Sequence, residues 1–242
     1  MLNSIVRMLQ VQVSFMPISV HPVVLLDADG ATLIDSAYPG QYPAFVRALE
    51  EVGLRPCDLR RVILTHQDLD HLGIMHELIA DCGGQLDIYA HPLDRPHIEG
   101  SRPYLKITPE RIATRLGNTP PERRAAVSAL YDMVPNFPVT HLLQDGDVLP
   151  FHGGIRVIHT PGHTPGHLCL YLAGERTLIP GDAVRVENGA LVGPSSEHTL
   201  DMSEALRSLR KLVGLDITEV YSFHGGYCSG AIPAKIRALA GA

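Results

Sequence analysis

The chain has 242 residues, 45% of them hydrophobic, enough to bury a full core as one large domain or two halves. Its formal charge of -6 lacks the basic field that nucleic-acid binding uses, and no apolar run approaches the ~20 residues of a membrane span. No secretory leader is evident at the N-terminus, and Cys57, Cys82, Cys169 and Cys228 are too scattered for a CxxC pair, so reduced thiols and a cytoplasmic location are expected.

Residues 11–35 read as short strands over 11–15, 20–26 and 32–34, the last following an Asp29-Gly30 turn. Asp35 ends the third strand before the Pro39-Gly40 breaker. It reads either as a carboxylate that orients a neighbouring ligand or as a turn residue capping the next segment. Phe45, Val46, Leu49 and Val52 form a helical stripe over 42–52, stopped at Gly53. A strand over 58–64 leads through Thr65 to a helix starting at about Asp70, with Leu72, Met75, Leu78 and Ile79 on its inner face. That helix ends near Cys82-Gly83-Gly84, and 86–90 is the next strand. The order β-β-β-α-β-α-β argues for sheets covered by helices.

From His91 to Tyr104 the pattern breaks on Pro92, Pro96, Gly100 and Pro103, and helices follow over 108–116 and 121–133, each with a proline near its first turn. Residues 91–138 therefore read as an insertion or lid over a site. His91 and His97 read as surface loop histidines, and Tyr104 and Lys106 as candidate substrate contacts. Strands resume over 140–143, 147–150, 155–159, 168–172 and 177–179; then come a helix over 201–213, a strand over 220–223 and a last helix over 233–239.

Thirteen histidines make their positions informative, since histidine is the commonest metal ligand. His66, Asp68, Asp70 and His71 fall together on one strand-to-helix turn. His66 and Asp68, two apart, can point to one side while Asp70 and His71 point to another, which suits two adjacent metals better than one. The plainer reading is a polar loop with an Asp helix cap. The same arrangement, an apolar strand followed by His or Asp beside Gly or Pro, recurs three times. It occurs at His163 in Thr160-Pro161-Gly162-His163-Thr164-Pro165-Gly166-His167, at Asp182 in Pro180-Gly181-Asp182, and at His224 in Phe223-His224-Gly225-Gly226. Each alone reads as a ligand or equally as a turn, cap or strand-end residue. Jointly they read as ligands carried on loops at one edge of a sheet scaffold.

With Leu33-Ile34-Asp35 added, these pieces resemble the metallo-β-lactamase superfamily of hydrolases, in that family's order across residues 33–226. The resemblance implies an α/β (α+β) chain folded as a four-layer αβ/βα sandwich, a single domain over 1–242 with the 91–138 insertion. It also implies a dinuclear metal site at one edge. His66, Asp68 and His163 would hold the first metal, Asp70, His71 and His224 the second, with Asp182 bridging them and Asp35 and His167 orienting ligands from behind. One departure matters, because the family's motif has histidine where Asp68 stands. A carboxylate there makes the metals weaker Lewis acids, places manganese or iron beside zinc as the expected ions, and makes loss of the first metal conceivable.

Two metals about 3.5–4 Å apart can share a hydroxide formed at neutral pH. Asp70 would orient that hydroxide and pass its proton to the leaving group. No Ser or Cys nucleophile is needed, and no G-x-S-x-G elbow is present. The expectation is a metal-dependent hydrolase of a small ester-like substrate, a lactone, carboxylic ester or thioester, with phosphodiester or β-lactam hydrolysis as the alternative within the fold. Lactonase-like members of the family carry a tyrosine three residues beyond the bridging Asp. Here Arg185 stands there, either as a cation facing an anionic substrate or as half of a surface salt bridge. Two readings from other classes are an iron-dependent redox enzyme and a non-catalytic metal-binding module, the complete ligand set arguing against the second. The expected partner is a small molecule, with no nucleic acid and no membrane, and a homodimer is the common default.

Overall fold

The central strands of this chain are apolar at nearly every position, and the computed structural model, which describes residues 5–28 and 30–241, shows where each face goes. Along Leu168–Leu172 all five residues are buried. Leu168, Leu170 and Leu172 enter an interior shared with Val23, Leu25, Ile34 and Ile63, while Cys169 and Tyr171 pack with Leu209, Leu212, Ile232 and Ile236. Along Gly30–Ile34, Ile34 joins the shared interior and Leu33 packs with Phe45, Leu49, Leu72 and Leu78. A strand with helices on one side and a second sheet on the other has no polar face, which is why it reads as an unbroken apolar run. The layers are therefore helix, sheet, sheet, helix.

In space the first sheet runs Ile5–Met8, Val23–Asp27, Gly30–Ile34, Leu59–Ile63, Asp87–Ala90, His141–Leu142, parallel from Gly30–Ile34 onward. The second runs Gly226–Ser229, Glu219–Ser222, Thr177–Ile179, Leu168–Leu172, Ile155–His159, Val148–Leu149. Ile155–His159 and Thr177–Ile179 both lie antiparallel to Leu168–Leu172, so they point the same way, and Glu219–Ser222 is parallel to Thr177–Ile179. The loops that follow these three strands, and those that follow Gly30–Ile34 and Leu59–Ile63, meet at one edge. There the Leu168 N–H donates to Thr65 O at 2.8 Å, joining the two sheets.

Several elements depart from expectation. The helix from Asp70 is two pieces, Leu69–Leu72 and Met75–Asp81, and at the break Gly73 is seated against Pro39, where a Cβ would lie 2.2 Å from Pro39 Cδ. The strand expected over 20–26 splits into Ser19–Val20 and Val23–Asp27 around Pro22, which has no N–H for a ladder. The strand expected over 11–15 shrinks to Val11–Gln12, and Asp29 of the expected turn lies outside the described residues. The short hairpin Arg185–Glu187 with Ala190–Val192, and the strands Ile5–Met8 and Gly226–Ser229, add to the expected set. Over 121–133 only Arg124–Leu130 is α-helical, between 3-10 turns. Among the described residues no helix is long and apolar enough to cross a membrane.

Candidate metal centre

The site is built outward from Asp35. Its backbone sits at φ 58, a left-handed conformation that Asp adopts more readily than bulky residues. Its carboxylate accepts the Thr65 N–H at 2.7 Å, the Thr65 hydroxyl at 2.7 Å and His71 Nδ1–H at 2.9 Å. With the hydroxyl proton given to Asp35, Thr65 Oγ1 accepts Nδ1–H of His66 at 3.0 Å. His163 Nδ1 is likewise placed 3.2 Å from Thr199 Oγ1. In His66 and His71 Nδ1 faces an acceptor, which leaves Nε2 as the nitrogen turned to the cluster; in His163 Nδ1 is engaged as well. His66 Nε2 and His71 Nε2 are buried with no hydrogen-bond partner. Buried acceptors are seldom left this way, and a cation would satisfy them.

Around these nitrogens the structure gathers all seven expected ligands. Donor atoms of His66, Asp68 and His163 lie within 4.8 Å of one another, as do those of His66, His71 and Asp182, and those of Asp70, His71 and His224. Asp182 stands between the groups. Its Oδ1 is 3.3 Å from His71 Nε2 and 3.4 Å from His224 Nε2, and its Oδ2 is 3.4 Å from His163 Nε2. Asp68 Oδ2 lies 3.0 Å from His163 Nε2 and 3.4 Å from His66 Nε2, and Asp70 Oδ2 lies 3.2 Å from His224 Nε2. His167 holds the loop beneath Asp182: its Nε2 accepts the Asp182 N–H at 3.0 Å and its Nδ1 donates to Thr160 Oγ1 at 2.8 Å. Gly181, at φ 51, makes this approach possible, since a Cβ there would lie 2.7 Å from His167 Nε2. Imidazole nitrogens mixed with carboxylate oxygens suit zinc, manganese or iron, so the residues present fit the metals that the resemblance implies.

The carboxylates and imidazoles of the cluster also shift one another. Burial would raise the carboxylates, but Lys106, His66 and His163 hold Asp68 well below the usual range. His224, His71 and His163 do the same for Asp182, and His71 and His224 for Asp70. Against their own burial, His71 is pushed up by Asp35 and Asp70, and His224 up to about 10 by Asp182 and Asp70. His163 is pushed down to about 4 by burial and then by Lys106; His167 is pushed well down by burial and then by His66.

Residues of the 91–138 segment behave differently from expectation. His91 and His97 are 8% and 7% exposed, so they are not surface histidines. His97 bonds Pro103 O, and His91 stacks on His159 with ring centroids 4.1 Å apart; neither belongs to the ligand groups. Asp94, which the sequence did not single out, accepts the Gln67 N–H at 3.1 Å, Gln67 Nε2 at 3.3 Å, Thr164 Oγ1 at 2.8 Å and the Gly166 N–H at 2.8 Å. It ties the His66 loop to the His163 loop from within a proline-rich stretch that gives it no local signature. Lys106 reaches the ligands themselves, with Nζ 2.5 Å from Asp68 Oδ2 and 2.9 Å from His163 Nε2.

A cleft of about 670 Å³ opens over Asp68, Asp70, Asp182 and His224. Tyr104 lines it, and its hydroxyl donates to Pro135 O at 2.6 Å. Arg185 lines it too, with Nη1 paired to Glu187 Oε1 at 2.6 Å and Nε donating to Gly193 O at 3.3 Å. Tyr38, also overlooked in the sequence, brings a phenol to the cleft whose pKa is pushed up by burial and then by the field of Asp70.

The family model described as the metallo-beta-lactamase superfamily matches residues 17–224. The probable metallo-hydrolase YflN of Bacillus subtilis (strain 168) is 28% identical over 207 residues, covering 80% of this chain and 74% of that protein. The metallo-beta-lactamase family protein TTHA1429 from Thermus thermophilus aligns with a TM-score of 0.72 at 26% identity, over 98% of this chain and 78% of that one. TTHA1623, solved in a di-iron-bound form, aligns with a TM-score of 0.62 at 27% identity, over 93% and 97%. With facing sheets, outer helices and a His/Asp cluster on the edge where the strands end, this chain belongs to the metallo-β-lactamase superfamily of metallo-hydrolases.

Proposed function

We propose that the cluster is a dinuclear metal site and that the chain hydrolyses a small ester-like compound, a lactone, carboxylic ester or thioester. The observation that carries this reading is Asp182, whose two carboxylate oxygens are divided between two donor groups, Oδ1 toward His71 and His224 and Oδ2 toward His163. His66, Asp68 and His163 would hold one ion, and Asp70, His71 and His224 the other. Zinc is the first expectation; the carboxylate at 68 and the di-iron form of TTHA1623 keep manganese and iron beside it. Divalent cations there supply Lewis acidity, polarising a carbonyl and making water acidic at neutral pH.

The chain's own residues supply the rest. Asp70 turns Oδ2 to His71 and His224, which leaves Oδ1 to take a proton from the attacking water and pass it to the leaving group. Ile107, Val127, Leu130 and Tyr131 give the cleft an apolar wall drawn from the 91–138 segment, which acts as the lid. Arg111 and Arg115 outnumber Glu110 on the same lining helix, Pro109–Asn118, and this net positive charge favours a substrate that carries a carboxylate.

The test pairs metal analysis with a substrate panel. Purified parent and Asp182→Ala proteins are analysed by elemental mass spectrometry and assayed on lactones, esters, thioesters, phosphodiesters and β-lactams. The parent should carry two ions and cleave an ester-like member of the panel. The variant should hold fewer ions and lose more than about 100-fold in kcat/KM, since even partners behind a ligand cost up to that much. An Asp182→Ala protein with both ions and full activity would sink the reading.

A further inference from the structure

Lys106 reaches the ligand cluster from the lid segment, and its side chain is only 12% exposed. Asp68 Oδ2 and His163 Nε2, the two atoms it touches at 2.5 and 2.9 Å, belong to two of the three residues in the first donor group. Its seat is built into the fold. The N–H of Leu105 donates to Gln67 Oε1 at 3.1 Å, and Gln67 is itself held by Asp94 through its backbone N–H and its Nε2. Tyr104 is anchored to Pro135 O. Gln67 lies between His66 and Asp68, so the motif that supplies the ligands also fixes the backbone from which Lys106 reaches them.

An ammonium group has three donors and no lone pair. It can satisfy a carboxylate oxygen and an imidazole nitrogen, but it cannot share those lone pairs with a metal ion. Asp68 gives the ammonium a partner of full negative charge, where an imidazole would give a neutral one. The second group is different: among the described residues no lysine or arginine pairs with Asp70 or Asp182.

We propose, on the dinuclear reading given above, that Lys106 competes with the first metal for Asp68 and His163. The two positions are then unequal. The position formed by Asp70, His71 and His224 fills first, and the position formed by His66, Asp68 and His163 fills only when Lys106 is displaced into the cleft. Occupancy of the first position therefore follows the free metal concentration.

The experiment is a zinc titration of the full-length chain after stripping with a chelator, read by competition with a chromophoric chelator. Parent, Lys106→Met and Lys106→Gln are compared after circular dichroism shows that they fold. The parent should bind two ions in separate steps. In both variants the weaker step should tighten by at least about tenfold, as expected when a buried competing charge is removed, with the tighter step unchanged. Equal steps in the parent, or a weaker step that is unchanged or loosened in the folded variants, overturn the Lys106 proposal and leave the dinuclear site standing. No more than one ion in any form at saturating zinc overturns the dinuclear reading and this proposal with it.

Discussion

Asp35 shows how much one buried carboxylate organises. Its two oxygens accept two protons from Thr65 and one from His71, and through Thr65 they fix the tautomer of His66. Replacing it with alanine leaves three donors without an acceptor, at a cost of about 3 kcal/mol or more. Urea unfolding of the metal-free Asp35→Ala protein should show that loss, and zinc should bind about 10-fold to 100-fold more weakly because His71 is no longer aimed. Parent-like stability and affinity would show that Asp35 is a turn residue after all. Its position was legible from the sequence, at a strand end before a breaker, but its role was not. The choice between capping and orienting depends on Thr65 and His71, which reach Asp35 only through the parallel pairing of Gly30–Ile34 with Leu59–Ile63.

At the scale of elements, the start of the 91–138 segment is itself a structural unit. His91 is held by stacking on His159, and the Leu93 N–H donates to its Nδ1 at 3.2 Å, which requires a neutral ring. Burial, and then the neighbouring His159, push its pKa from 6.5 down to about 4. In the unfolded chain the ring takes up a proton near 6.5, so between these values the unfolded state binds the proton that the folded state refuses. His91 therefore contributes its full stability above pH 6.5 and loses it as the pH falls toward 4. Thermal melts of the metal-free protein across that range should show a shallower acid decline for His91→Gln than for the parent; parallel curves would contradict the assignment. The proline spacing that marks 91–138 as irregular does not reveal that His91 is buried, because its cover comes from elsewhere. His159 lies at the end of Ile155–His159 in the other sheet.

For the whole molecule, a metal held by the His/Asp cluster would join folding to metal binding. The ligand loops follow strands of both sheets, and Asp68, Asp70 and Asp182 lie together where only the folded chain brings them. A metal bound by the folded state alone stabilises it by about 4 kcal/mol at a thousand times its dissociation constant. For a chain of this size that corresponds to a melting temperature about 10 °C higher. Differential scanning calorimetry before and after chelation, with zinc restored at the end, measures the difference. A melting temperature indifferent to chelation and to added zinc would count against a resident metal.

The features legible in the residues are local ones. Runs such as Leu168–Leu172 announce strands covered on both sides, glycine and proline mark where they stop, and His66, Asp68, Asp70, His71, His163, Asp182 and His224 each stand within a few residues of such a stop. Order of elements and the positions of the candidate ligands follow from side-chain periodicity and short spacings, which are written in consecutive residues. The tertiary structure alone decided which strand ends share an edge, that Asp94 ties two ligand loops, that Tyr38 faces the cleft and that Lys106 lies on Asp68 and His163. Those relations join residues far apart in the chain. They are set by strand direction, sheet order and the packing of one layer on another, and they have no signature in any single stretch of sequence.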